Sequence, residues 1–401
     1  PGSKRGFVVK TIINDRMMSP FQKMLIRNPR ARHISFELGL FCVPLTEYNN
    51  NMTWKRILSK IRKITLIIGV GPLSYIKYSL LRATSLKSLA IKENDWHNAD
   101  PIYPDFLYRI LKNYLRAELD SLYLDAEISH ESDKLFQKCL KCLTLKTRIK
   151  NFTFNPTRPS SVLFHGKLSR VCRKLQALSH VRIFETNQLQ WFLLADAKLF
   201  GQYLTSLKDL QSLSLTLNYN EDLTRSGGLN SITTFFKEIK QLQQLRAVSL
   251  SLKGQIPYRQ SKELIQTWLP REFLEFIHSV PELVRYHISL SFISLTHDSM
   301  ASIRQSIRKQ SKLVSLGFSV KSCVVTYPND FFESVAESLI SKKDLRNLEF
   351  SVIDSGNTTE ILKFYKKAQA LHQLDFLKVG FEGQHSDMEA FGEFLLKQKD
   401  A

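Results

Sequence analysis

The chain has 401 residues, 43% apolar and 23% charged, with 15 Gly and 13 Pro, a composition that excludes a disordered, low-complexity or collagen-like chain. The formal net charge is +20, which points to acidic or polyanionic partners. No apolar run reaches the ~18–20 residues that span a bilayer, and the five cysteines (Cys42, Cys139, Cys142, Cys172 and Cys323) are too few and scattered for a disulfide scaffold.

In chain order, Pro1-Gly2-Ser3 reads as a tag remnant, and residues 1–30 as that remnant plus a capping segment. A weak strand phrase, HISFEL, stands at 33–38, and a second is centred on Ile64. Then a leucine-rich phrase returns about every 30 residues. It reads SLKSLAIK at 85–92, ELDSLYLD at 118–125, DLQSLSLTLN at 209–218, QLRAVSLSLK at 244–253, KLVSLGFSV at 312–320 and DLRNLEFSV at 344–352. The central apolar residues are tracked through Leu89, Leu122, Phe152, Ile183, Leu213, Leu250, Ile288, Leu316, Leu348 and Leu377. Period-two alternation, as in Leu213, Leu215 and Leu217, predicts half-buried strands. Between strands the period becomes helical: Phe106, Ile110 and Leu111; Leu135, Cys139 and Cys142; Phe235, Ile239 and Leu242; Phe332, Val335 and Leu339. Asp330 with Glu333, and Ser386 with Glu389, have capping-box spacing. Long intervals between strands predict extended loops near 218–230 and 253–262.

The phrase L-x-x-L-x-L with a long helical return resembles the leucine-rich-repeat proteins, and the repeat length resembles their ribonuclease-inhibitor-like class. The resemblance covers roughly residues 30–385. It implies an α/β solenoid (horseshoe) of about 11–12 strand–helix repeats, with a parallel sheet on the concave face and helices on the convex face. The expected organisation is a capping segment at 1–30, the solenoid at 31–385 and a C-terminal capping helix at 386–401. The family's Asn or Cys after the strand is mostly absent here. Asn218 is a candidate, while Lys253 and Lys321 stand in comparable places, so irregular curvature is expected.

The charge is uneven. Residues 1–200 hold 33 Lys/Arg against 15 Asp/Glu, and residues 201–401 hold 24 against 22. Helical spacing groups Arg109, Lys112 and Arg116, then Lys134, Lys138 and Lys141, then Lys167, Arg170 and Lys174, as three basic rows on successive helices. If the leucines face inward, the concave floor of the second half is Ser212, Ser214, Ser249, Ser251, His287, Ser289, Ser315 and Ser319. In the basic half the same face carries Lys63, Lys92, Tyr123 and Arg182, with Phe184 as another outward aromatic.

No catalytic constellation emerges. Cys139 and Cys142 form an isolated C-x-x-C in an apolar helical rhythm, which reads as core. Gly69 and Gly71 lack the third glycine of a dinucleotide site. His287 beside Ser289 and Ser291 has no identifiable acid to orient it. Neither enzymatic activity, cofactor nor metal is expected. The expectation is a non-enzymatic protein-interaction scaffold with an acidic protein partner, no transmembrane segment and an intracellular location, cytoplasmic or nuclear. The alternatives are a nucleic-acid-binding protein contacting phosphates through its basic N-terminal repeats, a substrate receptor of a ubiquitin ligase, and a secreted effector.

Overall fold

Strands form where apolar residues alternate, because one face of each can then be buried while its backbone pairs with the next repeat. A computed structural model describes residues 8–12, 33–38, 61–68, 86–93, 119–127, 148–157, 178, 180–189, 194–218, 228–254, 269–328, 330–353, 358–371, 374–381 and 392. The chain divides into two compact units: residues 1–185 with 206–209, and residues 186–205 with 210–401.

In the first unit the strands are β1 (Val8–Ile12), β2 (His33–Leu38), β3 (Lys63–Ile68), β4 (Ser88–Glu93), β5 (Ser121–Glu127), β6 (Asn151–Thr157) and the start of β7 (Ile183–Leu189). Each pairs in parallel with the next. β1 lies within the segment read from sequence as a cap. Ile64, Leu89, Leu122, Phe152 and Phe184 occupy one register row, and all five are buried.

β7 corrects the sequence reading. Phe184, not Ile183, is the inward residue; its ring lies 5.9 Å from that of Phe152. Ile183 is half-buried, and Arg182 precedes the strand. Two adjacent apolar residues in Arg-Ile-Phe-Glu leave the face undecided by alternation. The larger ring takes the interior, where it removes more apolar area from water.

In the second unit, strands and helices alternate: α1 (Leu194–Ser206), β8 (Ser212–Asn218), α2 (Gly228–Ile239), β9 (Ala247–Lys253), α3 (Arg271–Ser279), β10 (Arg285–Ser291), α4 (His297–Lys309), β12 (Ser315–Lys321), α5 (Phe331–Ile340), β14 (Asn347–Ile353), α6 (Thr358–Ala368) and β15 (Phe376–Phe381). Strands β8, β9, β10, β12, β14 and β15 pair in parallel in that order. Two short strands, β11 (Ser294–Leu295) and β13 (Val324–Val325), make a second ladder after β10 and β12. This is a strand–helix repeat fold of solenoid type.

The register moves two central residues, which shortens one expected interval and lengthens another. Val248 and Tyr286, not Leu250 and Ile288, stand level with Leu213 and Leu316. The displacement is two residues, so it leaves the faces as predicted.

The interior is aromatic. Phe200 and Phe235 stack at 5.6 Å, Phe236 meets Phe273 edge-on at 5.2 Å, and Phe350 stacks on Phe364 at 4.0 Å. Phe235, Ile239, Leu242, Phe332, Val335 and Leu339 are all buried, as their helical spacing predicts. The capping box at Asp330 does not form. Asp330 occupies the N-cap of α5 but makes no capping bond, and its carboxylate takes Arg304 Nη1 instead at 2.5 Å. Glu333 pairs with Lys367 at 3.2 Å. A charged partner on the neighbouring helix outcompetes the local amide. Conversely, Thr296 caps α4, its Oγ1 accepting from Ser299 N–H at 3.1 Å. The second capping box, at Ser386 and Glu389, and the helix at 386–401 lie outside the described residues, Gly392 apart; of the loops expected near 218–230 and 253–262, residues 219–227 and 255–262 lie outside them too, while Asn218 ends β8, residues 228–230 open α2 and Lys253 ends β9.

Turns between repeats are tied by single polar side chains. Gln310 accepts from Leu283 N–H at 3.1 Å and donates to the Val280 carbonyl at 2.8 Å. Lys342 donates to the Gln310 carbonyl at 2.6 Å. Cys323 Sγ donates to the Leu290 carbonyl and accepts from Ile293 N–H, both at 3.5 Å. It is buried, and burial raises its thiol pKa. Cys323, two residues past Lys321, thus fastens the turn after β12 through its sulfur.

Candidate functional site

On the second unit, the strand residues not turned toward the helices form three register rows. The first is Ser212, Ala247, Arg285, Ser315, Asn347 and Phe376. The second is Ser214, Ser249, His287, Gly317, Glu349 and Lys378. The third is Thr216, Ser251, Ser289, Ser319, Ser351 and Gly380. All eight positions assigned from sequence to this floor are half-buried and alternate with buried neighbours. The structure therefore brings them onto one face.

The middle row holds the one cluster of chemistry on this face among the described residues. His287 Nδ1 lies 3.8 Å from Glu349 Oε2, and the other oxygen of Glu349 accepts from Lys378 Nζ. Glycine at 317 makes this possible, because a Cβ there would stand 2.0 Å from His287 Nδ1. The imidazole therefore lies across β12 to meet an acid on β14. Burial lowers the His287 pKa; Glu349 pulls it up and Lys378 pushes it down, and burial prevails. The ring is thus favoured neutral near neutral pH. The side chains are 35% and 25% exposed for His287 and Glu349, so the pair is reachable from solvent. Phe376 stands at the end of the first row with 52% of its surface exposed.

The sequence reading found no acid for His287; the structure corrects it, since Glu349 stands two strands away in the same row. The joining signal is Gly317 at the intervening strand position. It marks a place where a neighbouring side chain must cross the backbone.

In the first unit the assigned residues fall into different rows. Lys63 is the first residue of β3 and is exposed; Tyr123 is half-buried between Ala90 and Thr153; Lys92 stands level with Asp125. Arg182 precedes β7 and is exposed at the strand edge, not on the face. Phe184 is buried, so it offers no outward aromatic. The nine basic helix residues, Arg109, Lys112, Arg116, Lys134, Lys138, Lys141, Lys167, Arg170 and Lys174, lie outside the described residues.

Among the described residues, no three His, Cys, Asp or Glu side chains gather to hold a metal ion, and no helix is long and apolar enough to cross a membrane. Fold and surface define an α/β repeat protein of solenoid type. The chain matches no protein-family model and no curated protein.

Proposed function

We propose that the chain is a leucine-rich-repeat protein of the ribonuclease-inhibitor-like class and that it acts as a non-enzymatic recognition scaffold. Its ligand is a protein segment laid across the outer face of the second unit's sheet. The observation that carries this reading is the low relief of that face: Ser, Thr, Ala and Gly fill most of three adjacent rows over six strands. Short side chains let a partner backbone approach, while His287, Glu349 and Lys378 give polar anchors and Phe376 an apolar one. The excess of cations in residues 1–200 favours an acidic partner. A hydrolytic reading of His287 with the nearby serines lacks support. The backbone N–H groups of these strands are committed to the parallel ladder, which leaves none to stabilise an oxyanion.

The test is direct binding. Partners captured from the source cell are titrated against the wild-type chain, a Ser249→Arg/Ser319→Arg variant that raises two bulky cations on the face, and a Lys309→Glu variant on the helical side. Loss of binding only in the face variant supports the reading. Undiminished binding by the face variant removes the sheet from the account.

A further inference from the structure

The residue just before each of the strands β3 to β7 occupies one repeated backbone position. The Arg62 carbonyl accepts from the N–H groups of Lys87 (2.8 Å) and Ser88 (2.9 Å). The Lys87 carbonyl does the same for Asp120 (2.9 Å) and Ser121 (3.1 Å), Asp120 for Lys150 (2.9 Å) and Asn151 (3.0 Å), and Lys150 for Arg182 (2.7 Å) and Ile183 (3.0 Å). Successive members are therefore one inter-strand spacing apart, about 4.8 Å. Arg62, Lys87, Lys150 and Arg182 are all exposed, as are Lys63 and Arg148 beside them. The single acid in the row, Asp120, is paired with Lys150 at 3.3 Å, and half of each side chain still meets solvent.

The fold does not require cations there. In the second unit the same doubly accepting position holds Gln211, Arg246, Val284, Val314 and Arg346, followed by Asp375. One backbone geometry thus carries a basic row in one unit and a mixed row in the other. Beside the basic row, the first residues of the strands, Ser88, Ser121 and Asn151, form a level line of hydroxyl and amide groups. Two residues further along β5, Tyr123 stands half-buried on the outer face.

We propose that this strand edge of the first unit binds single-stranded nucleic acid. Phosphates run along Arg62, Lys87, Lys150 and Arg182; Ser88, Ser121 and Asn151 donate to phosphate or sugar oxygens; Tyr123 offers its ring to a base. Cations fixed along one edge, with Asp120 alone between them, suit a ligand whose charges repeat along a chain, and hydroxyl and amide side chains are ordinary phosphate ligands. The tyrosine needs an unpaired base to stack on, which selects a single strand over a duplex. This inference goes beyond the protein scaffold: it uses the strand edge of the first unit and not the sheet face of the second, and it gives cations of residues 1–200 a polyphosphate ligand.

The experiment is fluorescence anisotropy with the full chain at 50 and 200 mM salt. The probes are 20-nucleotide oligo-dT and oligo-U, a 20-base-pair duplex and polyglutamate. Four phosphate contacts on a single strand give a salt slope of about −0.7 per contact, so the oligonucleotides should bind roughly 50-fold more weakly at the higher salt. The Arg62→Glu/Lys87→Glu/Lys150→Glu/Arg182→Glu variant should lose this binding, and Arg246→Glu/Arg346→Glu in the second unit should keep it. If circular dichroism finds the fourfold variant unfolded, Lys87→Gln/Lys150→Gln replaces it, with weaker binding and a slope smaller by about 1.4 expected. Tyr123→Ala should weaken single-strand binding about tenfold at an unchanged slope. The proposal is overturned by absent oligonucleotide binding, by duplex or polyglutamate bound as tightly as the single strands, or by a folded charge variant that binds like the wild type.

Discussion

The imidazole of His287 lies across Gly317, which places its Nδ1 3.8 Å from Oε2 of Glu349, two strands away. β12 runs between them and is paired on both sides, so its backbone cannot retreat from an added methyl group. Gly317→Ala should therefore expel the ring, at a cost of about 1–3 kcal/mol as for other overpacked sites. The freed imidazole should titrate closer to an ordinary histidine, because the burial that lowers its pKa is gone. NMR titration of His287 together with urea melts reads both effects. An alanine variant with unchanged titration and unchanged stability would contradict the crossing geometry.

The same burial gives stability a pH dependence of known sign. A histidine whose folded pKa lies below its unfolded value of 6.5 binds fewer protons folded than unfolded in that window. Stability from this site therefore rises with pH up to about 6.5 and falls as acid charges the ring. Glu349 and Lys378 face it from β14 and β15 and oppose each other. Urea midpoints at pH 5 and pH 7 should differ more for the wild type than for His287→Gln. Equal differences would mean that the ring is not held neutral.

The faces of most strands were legible in the sequence because a two-residue period survives even when the repeat boundary is misjudged. Val248 and Leu250 share a face, as do Tyr286 and Ile288, so confusing them changed two repeat lengths and no face. Arg-Ile-Phe-Glu at 182–185 failed because two apolar residues in succession satisfy either phase. The edge row of Arg62, Lys87, Lys150 and Arg182 was hidden for another reason: it appears only once the strands are aligned by register, since the residue before a strand belongs to no hydrophobic pattern. The His287–Glu349 pairing joins positions 62 residues apart in sequence, and the deciding signal was the glycine between them.

Lys342 is a buried amine serving as a turn clasp. Its Nζ donates to the Gln310 carbonyl at 2.6 Å and approaches the Arg308 carbonyl at 3.4 Å, at the C-terminal end of α4 where carbonyls lack helical partners. Burial lowers its pKa from the usual lysine value. Lys342→Met keeps the aliphatic stem and removes the donor, leaving a buried carbonyl short of its partner. The expected loss is about 1–3 kcal/mol, measured by chemical denaturation. Lys343→Met, at an exposed neighbour, should change stability by no more than about 0.5 kcal/mol. Equal effects at the two positions would dismiss the clasp.

The interior can be tested residue by residue where sequence and structure disagree. Phe184 is fully buried in register with Phe152, and Ile183 sits half-buried on the opposite face. Phe184→Ala should cost about 3–5 kcal/mol, the range for a large ring removed from a packed core. Ile183→Ala should cost far less, since its surroundings are partly solvent. In the second unit Leu316, 1% exposed, sets the comparison: Leu316→Ala should cost about 2–5 kcal/mol, while Ser315→Ala stays near zero. Because the chain forms two compact units, the two sets of melts need not coincide, and each is read against the transition of its own unit. A larger loss for Ile183→Ala than for Phe184→Ala would restore the opposite phase for β7 and turn the aromatic ring of Phe184 outward, beside Arg182, where it would add a second stacking surface to the basic edge.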